Sequence, residues 1–110
     1  MKQLQIMQEV MLERGRQDLM WGTQEHDIKP HKNTDSRYFI EKAEKCKKEY
    51  EIASKNGIVT WYHILKEEFY EIFAENEPSR QRHELIQVMA VAMAMVEYLD
   101  RRFPEKDHES

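Results

Sequence analysis

The stretch TWYHILKEEFYEIFAENEPSRQRHELIQVMAVAMAMVEYLDRR, residues 60–102, decides the fold because it holds two helical patterns separated by one break. Apolar residues recur at helical spacing on both sides of Asn76-Glu77-Pro78, and this sequence ends one helix before the next begins. The pattern predicts a third helix over about residues 60–75, capped by Thr60, and a fourth over about residues 79–102, capped by Ser79. The short link between them predicts an antiparallel helical hairpin.

The residues before this stretch predict two further helices, over about 3–19 and 36–54, with an irregular segment from Trp21 to Asp35 between them. With only three glycines and three prolines, the composition favours long helices over a turn-rich β fold. We therefore expect one all-α domain over residues 1–103, a four-helix bundle. A disordered tail should follow at residues 104–110.

Composition excludes several classes of protein. The net charge of −4 argues against a dedicated nucleic-acid binder, which should show a basic balance. The single cysteine, Cys46, cannot form an internal disulfide and suits a reducing compartment. The N-terminus lacks a signal-peptide core, and no apolar segment reaches the roughly 20 residues that a membrane span needs. We expect a cytoplasmic protein without a membrane partner.

The segment 85–96 is apolar at every position except Gln87. A helix that is apolar on all sides is buried on all sides. A four-helix domain of this size has difficulty in surrounding one of its own helices. We therefore expect a second subunit to cover part of the segment, giving a homodimer or a dimer of dimers.

One carboxylate interrupts the apolar face of the third helix. At about 100° per residue, the face that contains Glu68 also includes several apolar positions, with Glu71 at its edge. A charged carboxylate in water-free surroundings costs several kcal/mol unless it is paired, protonated or bound to a metal. The members of this face are Trp61, Ile64, Leu65, Glu68, Ile72 and Glu75.

The fourth helix carries a matching pair, Glu84 and Gln87, at the i, i+3 spacing that places two side chains on one face. Facing helices that each present oxygen ligands at this spacing build metal sites in helical bundles. Oxygen ligands suit hard divalent cations such as Mg²⁺ or Mn²⁺. Other glutamates nearby, Glu67, Glu75 and Glu77, fit a solvated charged surface.

These residues form a pattern, Glu-Glu-x-x-Glu at 67–71 followed by Glu84-Leu85-Ile86-Gln87, that resembles the MazG-like nucleoside triphosphate pyrophosphohydrolases. The segments at 13–18, 21–26, 60–68 and 84–92 resemble the phage and bacterial MazG-like branch, so the resemblance covers roughly residues 13–102. It implies an all-α bundle of the MazG-like type, completed by dimerisation.

The resemblance also implies an activity, the cleavage of a nucleoside triphosphate between its α and β phosphates to give the monophosphate and pyrophosphate. Glu68, Glu71 and Glu84 would then be ligands of a catalytic Mg²⁺, with Mn²⁺ as a substitute. A bound water would attack phosphorus. Glu67 or Glu71 would accept its proton, so the catalytic set is Glu67, Glu68 and Glu71.

One position departs from the family pattern, since Gln87 stands where the family has an aspartate. An amide oxygen can still contact the metal as a fourth ligand, but it brings no charge. Weaker metal binding keeps open a second interpretation, a catalytically weakened helical module for nucleotide binding or protein contact. The run His83-Glu84-Leu85-Ile86-Gln87 also lacks the second histidine of the zinc signature His-Glu-x-x-His, which argues against a zinc protease.

The segment Trp21–His26 offers candidate substrate contacts. Trp21, Gln24 and His26 could stack on a nucleotide base and read its edge from a loop. Alternatively, Trp21 closes one end of the bundle and Gln24 caps a helix. The sequence alone leaves both interpretations open.

Overall fold

The computed structural model describes residues 2–30 and 36–104 of the 110-residue chain. Four helices and no strand occur in the described ranges, so the all-α prediction is confirmed at the level of fold class. The helices are α1 (Lys2–Trp21), α2 (Arg37–Lys55), α3 (Trp61–Ala74) and α4 (Pro78–Arg102). The sequence predicts a disordered tail at residues 104–110. Residues 105–110 of this tail lie outside the described ranges.

Two helix boundaries differ from the sequence prediction. Trp21 is the last residue of α1 and not part of a loop; the helix ends at Gly22, whose φ of 68° favours glycine. Helix α4 begins at Pro78, one residue before the predicted Ser79 cap. Proline is favoured at a first helical position because its missing N–H would have no partner there. The first turn of α4 closes on the Glu77 carbonyl oxygen.

The start of α3 confirms the predicted Thr60 cap. The Thr60 backbone N–H donates to Nδ1 of His63 over 3.1 Å, and this bond is one of the two reciprocal hydrogen bonds of a capping box. The reciprocal arrangement defines where the helix begins. It also fixes the helical phase of Glu68 and Glu71, which follow within the same uninterrupted helix.

Described contacts divide the chain into two compact units, one containing α1 and the part of α4 from Met93 on, the other spanning residues 27–92. The single domain over 1–103 stays a prediction. In the second unit α2 packs on α3, where the Phe39 and Phe73 ring centroids lie 5.3 Å apart. The buried side chains of this unit are Ser36, Phe39, Ala43, Cys46, Ala53 and Ile72.

A polar cluster joins three segments of the second unit. Asn76, in the link between α3 and α4, accepts hydrogen bonds through Oδ1 from the Lys29 ammonium and from the Ser36 hydroxyl, both over 2.6 Å. Lys29 also donates to Ser36 Oγ. Because Ser36 is buried at the start of α2, these bonds attach the link to the body of the unit.

The apolar segment 85–96 is not buried within the single chain, and its partial cover by a second subunit stays a prediction. All residues of α4 are described and none of them is buried. Leu85, Ile86 and Met89 are 37%, 47% and 48% exposed. Within the described ranges, no helix has both the length and the apolar character needed to cross a bilayer.

Candidate metal centre

Three glutamates from two helices converge in the second unit. Glu68 and Glu71 lie one turn apart on α3, and Glu84 lies near the start of α4. Each offers a carboxylate oxygen, and these oxygens all lie within 4.8 Å of one another. The structure therefore brings together the three carboxylates that the i, i+3 spacing and the hairpin predicted. Each of the three side chains is partly buried.

One oxygen of this cluster has no partner. Oε2 of Glu68 is buried, and no described residue forms a hydrogen bond with it. A buried acceptor without a partner costs about 1–3 kcal/mol, and more when it is charged. The carboxylate on the apolar face of α3 is therefore left, in the protein alone, with an unsatisfied oxygen inside an acidic cluster.

The cluster resists ionisation. Burial is the largest cause that raises the pKa of Glu68, and the negative charges of Glu84 and Glu67 raise it further. For Glu71, burial and the neighbouring charges, led by Glu68, raise the pKa to about 7. A hydrogen bond between Glu71 and Glu84 contributes, because the proton on Glu71 is then shared with a carboxylate. Near neutral pH the cluster therefore holds a proton or needs a cation.

The donor set fits a hard divalent cation. Three carboxylates supply oxygen ligands and negative charge, the combination that suits Mg²⁺ and Mn²⁺. A cation would satisfy Glu68 Oε2 and remove the repulsion that raises the carboxyl pKa values. Mg²⁺ in particular uses few protein oxygens and keeps sites for water or phosphate. Glu68, Glu71 and Glu84 are the residues that could hold it.

Gln87, the expected fourth ligand, makes a contact that the sequence prediction missed. Its Nε2 lies 3.4 Å from Nε2 of His83, one turn earlier on α4. Since an amide nitrogen only donates, the imidazole nitrogen is the acceptor. The bond engages the amide nitrogen and leaves the carbonyl oxygen of Gln87 for another partner.

Glu67, a predicted catalytic residue, is half-buried on α3 and lies outside the group of three oxygens. Its charge nevertheless contributes to raising the pKa of both Glu68 and Glu71. Glu67 is therefore near the cluster without being part of it.

The predicted substrate contacts lie in the other unit. Trp21, the last residue of α1, is 56% exposed. A residue that closes the end of that unit would be buried, and Trp21 is not. Nε2 of His26 donates to Oε1 of Gln24 over 3.0 Å, which brings two of the three residues together. Both are exposed. Their assignment to a nucleotide base stays a prediction.

The chain matches no protein-family model, no curated protein and no solved structure. What the three glutamates can do therefore follows from their own geometry and chemistry.

Proposed function

We propose that this protein is a Mg²⁺-dependent nucleoside triphosphate pyrophosphohydrolase of the MazG-like type. The observation that carries the proposal is the buried, unpartnered Oε2 of Glu68 beside carboxylate oxygens of Glu71 and Glu84. An unsatisfied acceptor in an acidic cluster is stabilised by a cation, and a Mg²⁺ bound by few protein oxygens commonly shares its shell with substrate phosphates. The resemblance of residues 13–102 to the MazG-like branch supports the same assignment.

The reaction would consume one water and break the bond between the α phosphorus and the bridging oxygen of a ribo- or deoxynucleoside triphosphate. The nucleoside monophosphate and pyrophosphate are the products. A bound Mg²⁺ supplies neutralisation of phosphate charge and a lower pKa for a water ligand. The chain's own residues hold the cation and take the water's proton.

Among the candidate bases, Glu67 is favoured over Glu71. Glu71 belongs to the group of three oxygens, so its lone pairs are needed for the cation. Glu67 lies beside the group but outside it, and its carboxylate is free of that task. Glu67 can therefore accept the proton of the attacking water and later release it to solvent.

A second candidate function rests on Gln87, which brings no charge to a position where the MazG-like pattern has an aspartate. Three anionic ligands hold a cation less strongly than four. The chain could then be a helical module that binds nucleotide, or another protein, without turnover. The metal site and the fold are the same in both candidates.

An assay for pyrophosphate separates the two candidates. The purified protein is incubated with Mg²⁺ or Mn²⁺ and a panel of ribo- and deoxynucleoside triphosphates. Product that disappears in Glu68→Ala but persists in Glu77→Ala supports the enzyme, because Glu77 is exposed in the link before α4. No product from any nucleotide with either cation contradicts the enzyme and favours the module.

We also propose that the protein is a homodimer or a dimer of dimers. The exposed apolar side chains of α4, Leu85, Ile86 and Met89, support this assembly. Burying these side chains against a second subunit would contribute about 25 cal/mol of association free energy for each Å² of apolar surface removed from water. The single cysteine, Cys46, buried and reduced, is compatible with the cytoplasmic location that we propose.

A further inference from the structure

The contact between His83 and Gln87 bears on the weak position of the metal site. Gln87 lies one turn after Glu84 on α4, and His83 immediately precedes Glu84. At about 100° per residue, Gln87 lies roughly 60° and His83 roughly 100° from Glu84 around the helix axis, both on the same side of it. Nitrogen lies opposite nitrogen in their contact, at 3.4 Å.

An amide side chain has two ends of similar size and opposite character. The oxygen can bind a cation, while the NH₂ group repels it. A rotation of about 180° exchanges the two ends, so an unrestrained glutamine presents the useful atom only part of the time. An aspartate at the same position would not have this difficulty, since both of its terminal atoms are oxygens.

We propose that His83 is a positioning residue, whose hydrogen bond to Nε2 of Gln87 leaves the Gln87 carbonyl oxygen to serve as a ligand of the cation held by the three glutamates. The inference rests on the proposed metal site. In this contact the Gln87 amide nitrogen donates and Nε2 of His83 accepts. The opposite tautomer would donate to the Gln87 oxygen instead and withdraw the ligand.

Partners of this kind, which orient a ligand without touching the metal, contribute about 10–100-fold to metal affinity where they are well buried. The bond between His83 and Gln87 is long, and both side chains are exposed. Its contribution to metal affinity should therefore fall below that range. We expect His83→Ala to weaken Mn²⁺ binding by about threefold to tenfold.

The test is a Mn²⁺ titration of the full chain, followed by the electron paramagnetic resonance signal of free Mn²⁺, at one pH. His83→Gln supplies a carbonyl acceptor for the Gln87 amide and should bind within about twofold of wild type. Arg82→Gln is the matched control, because Arg82 lies on the far side of α4 from Glu84. Each variant's urea midpoint is measured, and alanine or glutamine on an exposed helical surface leaves it near that of wild type.

The decisive comparison repeats His83→Ala in the Gln87→Asp background. If His83 acts by orienting the amide, the aspartate removes its role and His83→Ala changes Mn²⁺ affinity by less than about twofold. An equal loss in both backgrounds overturns the inference, because His83 would then act on the metal directly or through charge. No loss in the wild-type background overturns it as well.

These outcomes are distinguishable from failure of the metal site itself. Wild-type binding that vanishes in Glu68→Ala but is unchanged in His83→Ala retains the glutamate site and rejects the positioning role. A wild-type protein that binds no Mn²⁺ rejects both.

Discussion

A carboxylate oxygen of Glu68 on α3 lies within 4.8 Å of a carboxylate oxygen of Glu84 on α4. Two negative charges at this separation repel each other, and the repulsion is stronger where water is partly excluded. Burial is the largest cause of the raised pKa of Glu68, and the negative charge of Glu84 raises that pKa further. The repulsion between the two carboxylates destabilises the protein in the absence of a cation.

Glu68→Gln should therefore stabilise the metal-free protein while it removes metal binding. The amide has the shape of the carboxylate but no charge, so the repulsion disappears. We expect the free energy of unfolding in urea to rise by about 1 kcal/mol with a chelator present, within the usual range for single substitutions. With saturating Mg²⁺ the order should reverse, because only wild type gains binding energy.

Glu77→Gln is the control for this pair of measurements, since its side chain is exposed outside the cluster. It should change neither the metal-free stability nor the response to Mg²⁺. A Glu68→Gln variant that Mg²⁺ stabilises as much as it stabilises wild type would refute the assignment of Glu68 as a ligand.

Stability of the metal-free protein should depend on pH through Glu71, whose pKa is raised from 4.5 to about 7 in the folded state. Between these values the folded state binds more protons than the unfolded state, so stability falls as pH rises from about 4.5 to 7 and then levels off. One pKa unit corresponds to about 1.4 kcal/mol; with a discount for partial exposure we expect a loss of about 1–2 kcal/mol.

Urea unfolding across this pH range, with a chelator present, measures the effect. Glu71→Gln should flatten the profile, because the amide does not titrate. Stability that rises between pH 5 and 7 in wild type, or a slope that survives in Glu71→Gln, would contradict the raised pKa.

Gln87→Asp should strengthen the site. The substitution supplies the fourth negative charge and makes both terminal atoms oxygens, which raises affinity for a hard cation by about tenfold. Pyrophosphate release should increase with it if the missing charge limits turnover. Calorimetry with Mg²⁺ measures the first effect, and Gln8→Asp, at an exposed position of α1, controls for added charge. Unchanged affinity in Gln87→Asp would place position 87 outside the metal's reach.

Ile86→Glu should dissociate the proposed dimer. A charge at the centre of an apolar contact is costly to bury, so we expect the dimer dissociation constant to rise by at least about tenfold. Sedimentation velocity over a range of protein concentrations measures it. Ile52→Glu is the control, because Ile52 is an exposed side chain of the same type on α2. A wild-type protein that sediments as a monomer at all concentrations would contradict the assembly.

Ser36→Ala should destabilise the second unit without altering the ligands. It removes a buried hydroxyl that bonds to Asn76 and leaves the Lys29 ammonium with one fewer acceptor. A buried hydrogen bond of this kind contributes about 1–1.5 kcal/mol. Urea unfolding measures the loss, with Ser54→Ala as the control on α2. An unchanged midpoint would show that the polar cluster does not secure the link between α3 and α4.

Local patterns predicted much of this protein. Helical periodicity located all four helices, and the i, i+3 spacing together with a short link predicted that Glu68, Glu71 and Glu84 converge. The predicted helix boundaries were less accurate at Trp21 and Pro78. Gly22, which has a positive φ, follows the last residue of α1, and Pro78 occupies the first position of α4.

Interactions between residues distant in sequence escaped prediction. The bond between Ser36 and Asn76 depends on how α2 approaches the α3–α4 link, which no local pattern encodes. In the sequence, His83 stands out only as part of an incomplete zinc signature. Its spacing of four from Gln87 was a usable signal, because side chains at i and i+4 on a helix are neighbours.

The most direct test of the metal centre is calorimetric titration of the wild-type protein with Mn²⁺ in two buffers of different ionisation enthalpy. Binding to Glu68, Glu71 and Glu84 should displace the proton that the cluster holds near pH 7, so the apparent enthalpy should differ between the buffers. Both the heat and the proton release should vanish in Glu68→Gln. The absence of Mn²⁺ binding to wild type, with or without a non-hydrolysable nucleotide analogue, would contradict the proposed site.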